Sequence, residues 1–315
     1  MKTRFFILVL FIMAAVILLP QGGARAAEKP LKFGALPVIQ ALPLYVAQEK
    51  GLFAAEGLNV DLIPFKMALE KDVALSSGNL DGNFADLFTP IVLRANGVDL
   101  RIVARNFKTG KNARMFAVMT SPKSGITDLK GLSGVAVGGS SNTIIDYITT
   151  KILSSAGLEE SQIQMMEVKS IPLRFQMLSS NQLKAATLPE PLATLAEFQG
   201  CRIVGDDRDV ELSNTVYVFS AKAIKSRSGD IEKFLAAVNK AVDLINEKPE
   251  EVRSIMNKNC NIPMPLWTDF GVPRFPKIDL PEKEKIETVI SWLAARGSLK
   301  KKPEYEDVIN ERFVR

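Results

Sequence analysis

The chain repeats itself. Residues 75–80 read LSSGNL and residues 178–183 read LSSNQL, so Leu75, Ser76, Ser77 and Leu80 align with Leu178, Ser179, Ser180 and Leu183. The glycines continue in register, Gly97 and Gly200 each 22 positions past Leu75 and Leu178, and an Arg-Ile-Val run follows each, at 101–103 and 202–204. Such a sequence must fold one unit twice, which already limits the architecture to two similar halves.

Each half alternates short apolar strands with helices at the spacing of an α/β fold. In the first, strands are expected at 31–36, 60–65, 80–85 and 100–104. Helices between them are ended by Gly51, Gly57, Gly78 and Gly97 at the position just past the last turn. In the second, strands are expected at 133–137, 164–168, 184–188 and 202–204, with a helix over 143–156 that carries Ile144, Ile145, Ile148, Ile152 and Leu153 on one face. Two apolar, β-prone stretches, 114–120 and 215–221, belong to neither pattern. A chain that builds one lobe, crosses to build a second and crosses back needs two such connections. The division expected from this reading is 27–117 for the first part of lobe one, 118–216 for lobe two and 217–315 for the return, which is mostly helical. Its helix over 230–247 places Ile231, Phe234, Leu235, Val238, Val242 and Ile245 on one stripe.

Residues 1–26 are set apart. Lys2 and Arg4 precede an unbroken apolar run over 5–19, and Ala24-Arg25-Ala26 is a small-x-small cleavage site, as in a secretory signal peptide. Fifteen apolar residues are short for a membrane span, which needs about 20. Removing this segment takes away Lys2, Arg4 and Arg25 and no acid, so the net charge of +5 falls to +2. The one basic cluster, Lys300-Lys301-Lys302, reads as a solvated turn, and no nucleic-acid partner is expected. The chain contains no histidine, which removes Ser-His and Cys-His nucleophile pairs and His-bound zinc. Cys201 and Cys260 lie 59 positions apart and could pair or remain free. Neither a metal nor a cofactor is expected.

In open α/β sheets ligands sit beyond the carboxyl ends of the strands. Three loops there are polar. Gly138-Gly139-Ser140-Ser141-Asn142-Thr143 joins a strand to a helix, where glycines admit a ligand close to the backbone and exposed N–H groups favour an anion. A capping box, Thr143-x-x-Asp146, accounts for part of it. Phe84-Ala85-Asp86 and Leu188-Pro189-Glu190-Pro191 open the helices of the repeated unit, one step out of register. If the halves face each other, Asp86 and Glu190 place a carboxylate on each lip of a cleft, suited to an amine or amide; first-turn acids that complement a helix dipole are the alternative. The candidate ligand-binding set is Gln40, Phe84, Asp86, Ser140, Ser141, Asn142, Thr143 and Glu190. Arg174 reads as a solvated helix charge, and Tyr217 and Trp267 as core.

Four blocks carry a family likeness. The stretch Leu44-Tyr45-Val46-Ala47-Gln48-Glu49-Lys50-Gly51-Leu52-Phe53-Ala54-Ala55-Glu56-Gly57-Leu58 resembles the signature of solute-binding proteins that serve ABC importers of the nitrate, taurine and alkanesulfonate class. Ala74-Leu75-x-x-Gly78-x-Leu80-Asp81-Gly82 resembles the next block, Asp128-Leu129-Lys130-Gly131 with Val135-Ala136-Val137-Gly138 the third, and Glu190-Pro191-Leu192-Ala193 the fourth. The likeness runs in order along nearly all of the chain after residue 26. It implies a type II periplasmic-binding-protein fold, with two α/β lobes, two hinge crossings and a ligand cleft that closes on binding. It also implies a monomeric periplasmic protein, cleaved near Ala26, that passes a small polar ligand to an ABC permease and is not an enzyme. Family loops like 138–143 hold a sulfonate, nitrate or other anion, while other members bind thiamine-precursor pyrimidines or riboflavin-like rings. The enzyme branch that makes the thiamine pyrimidine relies on a histidine that is missing here. The rival from another class is a hydrolase or synthase with Asp86 and Glu190 as acid and base; a sensory domain tethered by an uncleaved leader is another.

Overall fold

The computed structural model describes residues 29–111, 113–209 and 214–314. The expected leader, residues 1–26, and its cleavage point lie outside them. Among the described residues no helix is long and apolar enough to cross a membrane.

The strands in chain order are β1 (Leu31–Ala35), β2 (Val60–Pro64), β3 (Gly82–Asp86), β4 (Leu100–Lys108) and β5 (Phe116–Thr120). They continue as β6 (Ala136–Gly139), β7 (Gln164–Glu167), β8 (Ala185–Pro189), β9 (Arg202–Asp206) and β10 (Asn214–Ser220). They form two five-stranded sheets, ordered β2-β1-β3-β10-β4 and β7-β6-β8-β5-β9. The two orders are the same pattern. In each, the first three strands are parallel, and the strand that follows a crossing, β10 or β5, runs antiparallel between the third and the fourth.

Those two crossing strands are the extra apolar stretches of the sequence. The chain leaves the first sheet at Lys108 and enters the second at Phe116; it leaves the second at Asp206 and returns at Asn214. Every residue of β5 is buried, as is β10 up to Phe219, because each is flanked by neighbours on both edges and covered by helices on both faces. The edge strands β2 and β7 are largely open to solvent. The expected two-lobe α/β fold with two crossings is the fold observed.

The repeat is structural. Helices Ala68–Ser76 and Ile171–Ser179 correspond, and beyond them Gly78 (φ 78°) and Asn181 (φ 65°) take the same left-handed turn into β3 and β8. Leu75, Leu80, Leu178 and Leu183 are all buried. Gly97 (φ 92°) and Gly200 (φ 90°) follow the next pair of helices, Phe88–Ala95 and Leu192–Phe198.

The return segment seals the first sheet. Helix Ser228–Glu247 buries the whole expected stripe, and the Phe234 ring lies 4.5 Å from Phe33 and 5.7 Å from Tyr217, centroid to centroid. Farther on, the Arg105 guanidinium pairs with Asp279 and reaches Glu282 at 2.6 Å, which fastens the C-terminal region to β4.

Candidate functional site

In both sheets the strand order changes direction beside β1 and β6, the place where open α/β sheets bind ligands, and the loops after β1, β3, β6 and β8 lie there.

The carboxylate of Asp86 accepts the N–H groups of Phe88 at 2.8 Å and Thr89 at 2.9 Å and the Thr89 hydroxyl at 3.1 Å. It caps its own helix. Glu190, with 4% of its side chain exposed, accepts Arg114 Nε at 2.5 Å and both the N–H and the hydroxyl of Thr194, at 3.1 and 2.8 Å. Gln40 is buried, and its backbone carbonyl accepts Asn106 Nδ2 at 2.6 Å. Phe84 stands opposite Tyr217 in the core of the first sheet.

The serine-rich loop does hold a carboxylate, and it is the chain's own. β6 pairs with β7 so that Gly139 lies opposite Glu167. The Glu167 carboxylate accepts the Ser141 N–H at 2.8 Å and the Ser140 hydroxyl at 3.3 Å. The Ser141 N–H bond is the main reason its pKa is lowered from the ordinary carboxylate value. Asn142 (φ 59°) donates its N–H to Asp146 at 2.9 Å. Thr143 caps helix Ile144–Ser155 by accepting the Ile145 N–H, and its hydroxyl donates to the Ser140 carbonyl at 2.6 Å.

Arg174 differs from its expected place. It is fully buried, with Nε and Nη2 on the carbonyl of Val168 and Nη1 on that of Thr187 at 2.9 Å. A helix charge beside a tight strand can turn inward when carbonyls lie within reach of its fork. Burial lowers its pKa to about 10, which leaves it charged at neutral pH. Trp267, expected in the core, is 44% exposed, while Tyr217 is buried. Both cysteines are buried and free.

An aromatic bridge joins the halves. Phe88 opens the helix after β3, and its ring lies 5.1 Å from Tyr147 on the helix after β6. Trp292, on helix Lys283–Ala295, packs edge-on against both, at 5.7 and 5.3 Å. Arg296 stacks 4.2 Å over that indole and reaches Glu160 at 3.0 Å, and Ser298 donates to Asn142 at 3.2 Å.

Two cavities share Glu190 in their linings. The first, of about 470 Å³, is walled by Leu36 and Val38 after β1, by Ile171 and Phe175 before β8, and by Leu192 after it. It is mainly apolar. The second, of about 660 Å³, lies at the crossings and is lined by Lys108, Lys111, Arg114, Arg208 and Arg274, with Glu190 as its acid. None of these five cations is in the candidate set from the sequence. They come from the first crossing, the approach to the second and the 270–274 segment, which only folding brings together.

A model of the NMT1/THI5-like family matches residues 38–252. A search of curated proteins found no match. Among solved structures, the periplasmic aliphatic sulphonate binding protein of Escherichia coli superposes with a TM-score of 0.79 at 18% identity, over 90% of this chain and 93% of that one. The alkanesulfonate-binding protein of Xanthomonas axonopodis pv. citri, bound to MOPS, gives 0.75 at 14% identity over 90% and 99%. A mutant of DSZB in complex with biphenyl-2-sulfinic acid gives 0.66 at 15% identity over 90% and 97%. The family match spans more than half of the chain and runs through both sheets; the chain belongs to the NMT1/THI5-like family.

Proposed function

We propose that the chain is an extracytoplasmic solute-binding protein that traps a small organic anion between its lobes and delivers it to the permease of an ABC importer. In this reading the leader is removed near Ala26, the protein works as a monomer, and the lobes divide as 27–117 with 217–315 against 118–216. The observation that carries it is the origin of the cavity walls: each cavity draws residues from both halves. A ligand that touches both halves favours the closed arrangement, so capture and closure become one equilibrium. The sulphonate-binding neighbours support the same class of solute.

The acid/base reading has little support. Asp86 spends its carboxylate on a helix cap, and Glu190 is held by Arg114 and Thr194. For the pyrimidine reading, Phe88, Tyr147 and Trp292 pack edge-on or tilted against one another outside the cavity linings, which leaves Phe175 and Phe270 as the aromatic rings that line the cavities.

Native mass spectrometry of the exported protein tests this. A small-molecule adduct is expected, together with a smaller radius of gyration on titration with that molecule. Turnover of the molecule, or neither adduct nor compaction, would overturn the reading.

A further inference from the structure

We propose that residues 279–310 form a strap. It is rooted twice on the first sheet, reaches the second half with Trp292, Arg296 and Ser298, and resists the parting of the two halves. On the solute-binding reading, and only on it, the strap also sets how readily the cleft opens to admit and release its guest.

Both roots lie on or beside β4. On the way out, Asp279 and Glu282 hold the Arg105 guanidinium, and the Arg105 N–H donates to the Asp279 carbonyl at 2.6 Å. On the way back, Asn310 donates its N–H to the Ile102 carbonyl at 2.9 Å, and Arg94 Nε donates to the Asp307 carbonyl at 2.9 Å. Lys283 ties the outgoing limb to the returning one through Glu306 at 3.3 Å. Between the roots runs helix Lys283–Ala295, 13 residues and about 20 Å long at the usual rise. Ile286, Val289, Ile290 and Leu293 bury one face of it.

The far end meets the second half in two layers. The inner layer is apolar, with the buried Tyr147 ring against both Phe88 and Trp292. Lys151, 5.6 Å from that ring, belongs to the second half as well. The outer layer is polar. An arginine at a helix C-terminus ordinarily serves the helix dipole from solvent. Arg296 instead covers the indole and meets two carboxylates of the other half, Glu160 at 3.0 Å and Asp146 at 3.8 Å. Asp146 also accepts the Asn142 N–H, and the Asn142 side-chain oxygen accepts the Ser298 hydroxyl at 3.2 Å. Both roots belong to the first half, so the strap moves with it. Parting the halves must then break the contacts of Arg296 and Ser298 and bring water to Tyr147.

Spin-label distances on the protein without added solute test this. Val73 and Leu173 are exposed and stand on the two helices whose starts, at Ala68 and Ile171, line one cavity from opposite halves. Both native cysteines are buried, so Val73→Cys/Leu173→Cys takes one label on each half. A guanidinium both stacked and ion-paired shifts a two-state balance by about fivefold. Arg296→Gln should raise the open-to-closed ratio by that much, read as a longer and broader label separation. Glu160→Gln alters an exposed side chain, removes one pair and should give about a twofold rise. Salt at about 0.5 M, where the screening length is roughly 4 Å, should act on the wild type in the same direction. Arg253→Gln, which breaks a pair with Glu250 inside the first half, should leave the separation unchanged. An unchanged separation in Arg296→Gln, or an equal change in Arg253→Gln, would overturn the proposal; if Arg296→Gln does not fold, Glu160→Gln decides in its place. No solute enters the measurement, so this failure leaves the solute-binding reading standing. Absence of any small-molecule adduct removes that reading and leaves the strap.

Discussion

Lys71 and Arg174 occupy the same place in the two halves, each buried on the helix that precedes the third strand of its sheet. Each stem passes a glycine on the first strand of its sheet. A Cβ on Gly34 would lie 3.1 Å from Lys71 Cγ, and one on Gly138 would lie 3.4 Å from Arg174 Cγ. Beyond that the halves part. Lys71 pairs with its neighbour Asp72, which Asn83 also approaches at 3.2 Å, so a full charge meets a full charge. Among the described residues no carboxylate is hydrogen-bonded to Arg174, which instead spreads its fork over two carbonyl oxygens. An ammonium is a compact, strongly hydrated charge that demands a counter-ion when buried, whereas a planar guanidinium can satisfy itself with backbone dipoles. Duplicated positions thus preserve the need for a long buried cation while the means of neutralising it diverges.

The largest effect on this contrast should come from Arg174→Met. It strips donors from the Val168 and Thr187 carbonyls, and an unsatisfied buried acceptor costs about 1–3 kcal/mol, so a loss of roughly 2–5 kcal/mol is expected as a lower urea midpoint with an unchanged slope. If Arg174→Lys proved as stable as wild type, the fork would have no special role.

Lys71→Met should cost less, roughly 1–3 kcal/mol at neutral pH, and the deficit should depend on pH. Desolvation by burial already raises the pKa of Asp72 against the pull of Lys71. Losing the ammonium raises it further, so the native state binds a proton more readily than the unfolded chain. Stability of the variant should then recover as pH falls through that raised value and drop again as it rises. Urea melts at pH 5 and pH 8 check the sign. A pH-independent loss would mean that Asp72 does not carry the charge, and Lys71→Met/Asp72→Leu should come closer to wild type than Lys71→Met alone.

The smallest effect belongs to the glycines. Ala at Gly34 would meet Leu80 Cδ1 at 2.8 Å with Lys71 and Phe65 close behind, at 3.1 and 3.3 Å; at Gly138 it would meet Leu183 Cδ1 at 2.7 Å with its next neighbours at 3.4 Å. Leucine tips can move, so each substitution should cost about 1–2 kcal/mol, with Gly34→Ala the worse because its surroundings have less room. Thermal melts of the two variants side by side decide the order.

Much of the fold is legible because its signals are local. A left-handed residue after a helix, as at Gly78, Gly97 and Gly200, and buried leucines at fixed spacing both depend on the nearest few residues. The crossing strands are readable because full burial leaves a continuous apolar run, as in β5. The site is harder. Sequence can place donors on the 138–143 loop, but not the pairing of β6 with β7 that brings Glu167 onto them. Glu190 lines both cavities, though its expected freedom to meet a ligand is taken by Arg114, 76 positions away. Lys111, Arg208 and Arg274 look like any solvated charge until the two crossings and a C-terminal segment converge. Arg174 escapes sequence reasoning for the same reason, since an inward and an outward arginine on a helix share one letter.

Trp292 is one of only two tryptophans in the chain. Its indole rests at once on a phenylalanine from one half and a tyrosine from the other, under a guanidinium. The protein therefore carries its own optical gauge at the seam: any parting of the halves changes the surroundings of that fluorophore, while Trp267, 44% exposed and bonded to the nearby Ile262 carbonyl, supplies a reference signal from outside it.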